Sequence, residues 1–219
     1  MEQMSPGLGV SLAALVGFAS SAIFSSLLHW SRNTFVLGYA ALAGLFLAAF
    51  AVVGRVRPTI QLRRHWRAGL VGGVLVGIIL AYGVRAQPAS PRPSGLALAG
   101  ALAWLGVVYG TLDALLLTVV PVLSVYGSRP PELLYRGRAR VQWGGLALLA
   151  SLVVTGAYHL GFAEYRGPTL VQPLIGTAIV TTGYLLTGSP LAAVLAHVIM
   201  HVAAVLQGME GTVQLPPHY

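Results

Sequence analysis

The chain has 219 residues, of which 56% are hydrophobic and only 8% are charged. About a quarter of the residues in an ordinary soluble domain are charged, so this composition, with a mean hydropathy of +0.78, excludes a soluble globular protein. The net charge of +8 reflects 13 basic residues, all Arg, against five Asp and Glu. Because the arginines lie in short loops between apolar segments, they indicate membrane topology and no nucleic-acid partner.

Apolar segments long enough to cross the bilayer recur along the chain. Crossing about 30 Å of hydrocarbon takes roughly 20 helical residues. Seven segments meet this length, at approximately 7–30, 34–54, 67–86, 94–126, 141–164, 168–187 and 190–208. The sequence therefore predicts an all-α polytopic membrane protein with about seven transmembrane helices.

The fourth segment, 94–126, is long for one span and short for two. We interpret it as one tilted helix that bends near Pro121, because a proline ring removes a helical hydrogen bond. Counts of six or eight spans remain alternatives.

Arginines in two loops predict the orientation of the helices. Basic residues favour cytoplasmic loops, and the loops after the second and fourth segments hold Arg55, Arg57, Arg63, Arg64, Arg67, Arg129, Arg136, Arg138 and Arg140. With seven spans both loops lie on one side. We therefore expect an integral protein of a bacterial or archaeal cell membrane, with a cytoplasmic N-terminus and an external C-terminus.

A proline-rich stretch at 87–93 divides the predicted helices into two groups. Prolines stiffen a linker, so we expect an N-terminal three-helix part over 1–86, an external linker and a four-helix core over 94–208, followed by a tail over 209–219. In the third segment Gly69, Gly73 and Gly77 recur every four residues, which is typical of close packing between membrane helices.

Four ionisable side chains lie inside predicted spans: Asp113, His159, His197 and His201. Such groups are costly in a bilayer and are usually functional. His197 and His201 are four residues apart, so both rings lie on one face of the seventh helix.

The depths of these four side chains permit a common site. With a helical rise of 1.5 Å per residue, they lie roughly 8 to 18 Å below the outer surface. Tyr109 precedes Asp113 by one turn and Tyr158 precedes His159, so either hydroxyl could support the site by hydrogen bonding.

Two segments of the C-terminal half resemble motifs of the CAAX-protease and bacteriocin-processing (CPBP) family of intramembrane proteins. In the segment 188–201 a small-residue turn leads to His197, as in the family's H-x-x-x-N/D motif, with His201 in place of the Asn or Asp. The segment 155–162 is similar to the F-x-x-x-H motif, with His159 as its histidine and Thr155 in place of the Phe.

The family's first motif, E-E-x-x-x-R, has two possible counterparts. Glu132 and Arg136 match its letters, although Pro131 replaces the first Glu. Asp113 lacks the Arg but lies at the depth of the histidines, whereas Glu132 is nearly a full span from His159, on the order of 25 Å. Because a base must reach its substrate, we favour Asp113.

The resemblance implies an intramembrane protease or a degenerate relative that needs no cofactor. Asp113 would activate water for attack on a peptide carbonyl, and His159 and His197 would orient water or stabilise charge. His201, Tyr109 and Tyr158 would support them. The substrate would be a membrane-associated peptide or a lipidated protein.

The sequence is compatible with two further hypotheses about function. Asp113, His159, His197 and His201 together would suit Zn or another divalent metal, if they converge. Thiolate ligands are excluded, because the chain has no cysteine. The protein could also be a non-catalytic membrane scaffold or a partner subunit.

Overall fold

The computed structural model describes residues 5–54, 56, 61, 63, 65–127, 137–210 and 213–216. These residues are almost entirely helical and contain no strand. They form seven helices that are long and apolar enough to cross a membrane, which confirms the predicted fold class.

The seven helices begin and end within a few residues of the predicted segments, because runs of apolar residues bounded by Pro, Gly, Ser and Arg define them. They are α1 (Pro6–Leu27), α2 (Arg32–Val53), α3 (Trp66–Arg85), α4 (Gly95–Tyr126), α5 (Gly137–Leu160), α6 (Pro168–Thr187) and α7 (Pro190–Gln207). Among the predicted loop arginines, Arg55, Arg57, Arg64, Arg129 and Arg136 lie outside the described residues.

The fourth helix is one continuous element, as predicted, so the six-span and eight-span alternatives are not borne out in the described part of the chain. Two wide π-helical turns interrupt its α-helical geometry, at Leu102–Val108 and Ala114–Val119. The second ends just before Pro121, which lies in the first turn of the segment Val120–Tyr126. The proline is accommodated because its missing N–H falls at this irregularity.

The glycines of α3 allow α7 to pack closely against this helix, as their spacing predicts. Gly69, Gly73 and Gly77 are all buried. A Cβ atom added at Gly73 would lie 2.8 Å from the Cβ of Leu195, and one at Gly77 would lie 2.7 Å from the Cδ1 of Ile199. Only the absence of side chains permits this approach.

Helix α1 packs against α5 in a similar way. A Cβ at Gly17 would lie 3.2 Å from the Cβ of Tyr158. The Ser21 hydroxyl donates to the Tyr158 carbonyl oxygen over 2.6 Å, and the Ser26 hydroxyl donates to the Gly161 carbonyl oxygen over 2.7 Å. The N-terminal helices α1 and α3 therefore pack directly on helices of the C-terminal group.

The proline-rich linker is fastened to the end of α7. The Ser90 N–H donates to the Gln207 carbonyl oxygen over 3.2 Å, and the Met209 N–H donates to the Pro91 carbonyl oxygen over 3.1 Å. These bonds place the start of the tail beside the linker, on the side predicted to be external.

Candidate functional site

One cavity of about 470 Å³ lies among α3, α4, α5, α6 and α7. All four predicted ionisable residues, Asp113, His159, His197 and His201, line it. Asp113, His197 and His201 are buried from the exterior, with exposed fractions of 4%, 4% and 1%. The four side chains that the sequence predicts to lie at similar depths therefore share one cavity.

The carboxyl group of Asp113 and the imidazole of His201 lie close together in the cavity. The Asp113 Oδ2 atom lies 3.4 Å from the His201 Nε2 atom. The Asp113 Oδ1 and His201 Nδ1 atoms are buried and make no hydrogen bond within the described residues. Buried polar groups are normally satisfied by protein or water, so this pair retains unused hydrogen-bonding capacity.

Glycines on α4 bring Asp113 within reach of α7. A Cβ atom at Gly110 would lie 3.1 Å from the His201 Cδ2 atom and 3.2 Å from the His197 carbonyl oxygen. One turn earlier, a Cβ at Gly106 would lie 2.8 Å from a methyl group of Val202. Sequence reasoning missed these two glycines, although their four-residue spacing is the signal it used on α3.

His197 and His201 share one face of α7, as predicted. Their ring centroids are 6.3 Å apart and the ring planes differ by 19°. The His197 Nδ1 atom lies 3.1 Å from the Ala193 carbonyl oxygen, four residues earlier on the same helix. Because a carbonyl oxygen can only accept, this Nδ1 carries the proton.

His159 on α5 is held by the same contact. Its Nδ1 atom lies 2.9 Å from the Thr155 carbonyl oxygen, again four residues earlier. In their neutral forms both histidines therefore have an unprotonated Nε2, which can accept a hydrogen bond or a proton but cannot donate one. This chemistry suits orienting a water molecule better than stabilising an oxyanion.

The tyrosines Tyr109 and Tyr158 lie beside His201 and His159, and their supporting role stays a prediction. Their hydroxyl oxygens are 2.7 Å apart in a buried hydrogen bond. The ring of Tyr109 meets His201 edge to face at 4.8 Å, and the ring of Tyr158 meets His159 at 5.1 Å. Since one hydroxyl donates to the other, one O–H proton of the pair remains available to a ligand.

Tyr39 on α2 completes this aromatic cluster and was not predicted. Its ring lies 5.4 Å from that of Tyr158 and 5.8 Å from that of Tyr109. The side chain is fully buried, and its hydroxyl makes no hydrogen bond within the described residues. No neighbouring polar residue marks Tyr39 in the sequence.

Thr155, which stands where the resembled motif has Phe, joins α5 to α6. Its hydroxyl oxygen lies 2.9 Å from the hydroxyl oxygen of Thr177, and Thr177 lines the cavity. The position therefore supplies a polar contact between two helices instead of an aromatic surface.

The prediction of a metal site gains no support. In the part of the chain that the structure describes, no group of three or more His, Asp and Glu side chains is placed to hold a metal ion. Asp113, His159, His197 and His201 thus share a cavity without forming a first shell for Zn or another divalent metal. The competing acid, Glu132, lies outside the described residues.

The tail also lines the cavity, which sequence reasoning did not predict. Val213, Gln214, Leu215 and Pro216 contribute to its wall, and Leu215 is only 3% exposed. Tyr165, in the short turn between α5 and α6, donates its hydroxyl to the Val213 carbonyl oxygen. Burial raises the pKa of Tyr165, and the nearby Glu164 adds to this effect.

No protein-family model matches the chain, and neither the curated proteins nor the solved structures contain a match.

Proposed function

We propose that the protein is an intramembrane hydrolase that cleaves a peptide bond of a membrane-associated polypeptide, as a divergent relative of the CPBP proteases. The observation that carries this proposal is the cavity at which Asp113, His159, His197 and His201 meet within the spanning helices. Ionisable groups at such positions are usually functional.

Asp113 acts as the general base in this proposal. It takes a proton from the attacking water, and the His201 imidazole lies 3.4 Å from this carboxylate. The water oxygen bonds to the carbonyl carbon, the proton passes to the leaving nitrogen, and the C–N bond breaks. No metal or other cofactor is needed for this sequence of steps.

The other polar side chains position the reactants. The Nε2 atoms of His159 and His197 accept hydrogen bonds from water, since their Nδ1 protons are engaged by backbone carbonyls. Tyr109 donates to the developing oxyanion when its hydroxyl accepts from Tyr158. This assignment gives the histidines the water-orienting role and the tyrosine pair the charge-stabilising role.

The walls of the cavity favour an apolar, membrane-embedded substrate. Ile79 on α3 and Ile175 on α6 both line the cavity and are more than half exposed, at 58% and 56%. Further along these two helices they touch, since a Cβ at Gly183 would lie 2.8 Å from a methyl group of Val76. The cavity therefore has an apolar edge between α3 and α6 through which a substrate chain can enter from lipid.

The decisive experiment measures cleavage of transmembrane peptides by the reconstituted protein. A set of quenched fluorescent transmembrane peptides is incorporated with it into phosphatidylglycerol-containing vesicles, and products are collected in H₂¹⁸O. We expect one ¹⁸O atom in the new carboxyl terminus, and a rate reduced by roughly 10² to 10⁴ in Asp113→Asn, the range expected for loss of a general base.

Matched controls separate chemistry from folding. Glu164 is exposed, so Glu164→Gln removes a carboxylate near the same side of the membrane and should retain activity. His201→Gln should lower the rate as well. His29→Asn is its control, since His29 has a positive φ of 49°, which Asn tolerates. Equal activity of Asp113→Asn and wild type, or no cleavage across the whole peptide set, would refute the proposal.

A further inference from the structure

The segment 213–216 is held at the cavity by three side chains from separate parts of the chain: Arg32 at the start of α2, Gln87 after α3, and Tyr165 between α5 and α6. Arg32 donates its Nε–H to the Pro216 carbonyl oxygen over 2.6 Å and a second N–H to the Met209 carbonyl oxygen. Tyr165 donates to the Val213 carbonyl oxygen.

Gln87 contacts the segment through both ends of its amide. Its Oε1 accepts from the Val213 N–H over 3.1 Å, and its Nε2 donates to the Oε1 of Gln214 over 3.1 Å. The main chain of Gln87 is held in place as well, because its main-chain carbonyl oxygen accepts from the Gln207 side chain over 2.8 Å. The side-chain amide of Gln87 thus pairs with one donor and one acceptor of the neighbouring segment.

Most of these bonds recognise the polypeptide backbone. Four of the five go to main-chain groups of Met209, Val213 and Pro216, and only the contact with Gln214 involves a side chain. Hydrogen bonds to main-chain groups give affinity that is largely independent of the sequence of the peptide. The same side chains can therefore bind another polypeptide.

We propose that Arg32, Gln87 and Tyr165 form a binding site for the main chain of a polypeptide, and that the chain's own segment 213–216 occupies this site and caps the cavity. An incoming peptide competes with the segment for the same three side chains. The proposal goes beyond the hydrolysis proposed above and stands or falls independently of it.

Cysteine labelling of the full chain tests whether the segment 213–216, called the cap below, covers the cavity. Single cysteines can be introduced for this purpose because the protein has no native cysteine. Leu215→Cys places a thiol at a position that is 3% exposed, and Ala89→Cys places one at an exposed position of the neighbouring linker. With a membrane-impermeant maleimide we expect Leu215→Cys to react at least about tenfold more slowly than Ala89→Cys. Equal rates would overturn the cap.

Variants of the binding side chains test the contacts. Adding Tyr165→Phe or Gln87→Ala to Leu215→Cys removes hydrogen bonds to Val213 and should accelerate labelling about fivefold, the change expected for one hydrogen bond. Tyr82→Phe is the matched control, since Tyr82 is 79% exposed. If both variants label no faster than this control, these side chains do not hold the segment.

Peptide competition tests the binding site itself. A synthetic peptide with the sequence of residues 209–219, added in excess to the full-length Leu215→Cys protein, should displace the segment and accelerate labelling. The same peptide with an N-methyl group at the position of Val213 lacks the N–H that Gln87 accepts and should have little effect. No acceleration by the unmodified peptide, or equal acceleration by both, would overturn the proposal.

Discussion

The carboxylate of Asp113 on α4 and the imidazole of His201 on α7 lie 3.4 Å apart. The two residues lie far apart in the sequence, on different helices, so no local pattern predicts this contact. It exists because Gly106 and Gly110 allow the two helices to approach closely.

Enlarging Gly110 should therefore separate the pair. In Gly110→Ala the new methyl group would lie 3.1 Å from the His201 ring, so we expect a loss of about 1 to 3 kcal/mol in unfolding free energy, as for other overpacked sites. Thermal unfolding in detergent measures the change. Gly100→Ala on the same helix has no atom within 4 Å of its Cβ, and should be neutral or stabilising. Equal destabilisation in both variants would contradict the close-packing explanation.

The hydroxyl pair of Tyr109 and Tyr158 should show energetic coupling. Either Tyr→Phe substitution leaves one buried hydroxyl without its partner, and this costs about 1 to 3 kcal/mol. The double variant removes both groups, so it should cost less than the sum of the single variants. A double-mutant cycle by thermal or chemical unfolding measures the coupling. Additive losses would show that the hydroxyls do not bond to each other.

The tautomers of His159 and His197 are also predicted. Each Nδ1 donates to the carbonyl oxygen four residues earlier, so at a pH where the rings are neutral both should carry the proton on Nδ1. Solid-state NMR of ¹⁵N-histidine-labelled protein distinguishes the two tautomers by their nitrogen shifts. Spectra of His159→Gln and His197→Gln assign the signals. Protonated Nε2 in the neutral rings would remove the water-orienting role proposed for them.

The cap should respond to alkaline pH but not near neutrality. Burial raises the pKa of Tyr165 above its ordinary value of 10.0, so docking favours the protonated hydroxyl and is lost as pH rises beyond that value. The ratio of labelling rates of Leu215→Cys and Ala89→Cys, measured with a charged iodoacetamide, should stay constant between about pH 6 and 9 and increase above about pH 10. In Tyr165→Phe the alkaline increase should be absent. A transition near pH 6 to 7 would assign the control of docking to a histidine instead.

The sequence predicted the helices well because membrane insertion depends on hydropathy summed over each segment, a local property. It also predicted that His197 and His201 share a face, since the helical period alone decides this. The depth argument placed Asp113 near the three histidines, because neighbouring helices cross the same bilayer thickness, and the four side chains do line one cavity.

The remaining contacts depend on how distant parts of the chain pack. Tyr39 joins the site only through the positions of α2, α4 and α5, and nothing in its neighbourhood distinguishes it from an exposed tyrosine such as Tyr82. The contact of Gln87 with Val213 links residues more than a hundred positions apart. Neither a periodicity nor a motif indicates such pairs.

The glycines on two neighbouring helices have a consequence for motion in this protein. Helix α7 packs against Gly73 and Gly77 of α3 on one side and against Gly106 and Gly110 of α4 on the other. Main-chain atoms or side chains of α7 fill the space next to each glycine. Rotation or axial sliding of α7 would bring these groups into contact with the main chain of α3 or α4. The close packing therefore holds His197 and His201 in place relative to these two helices. A rearrangement that admits a large molecule is therefore expected to leave α7 in place against α3 and α4.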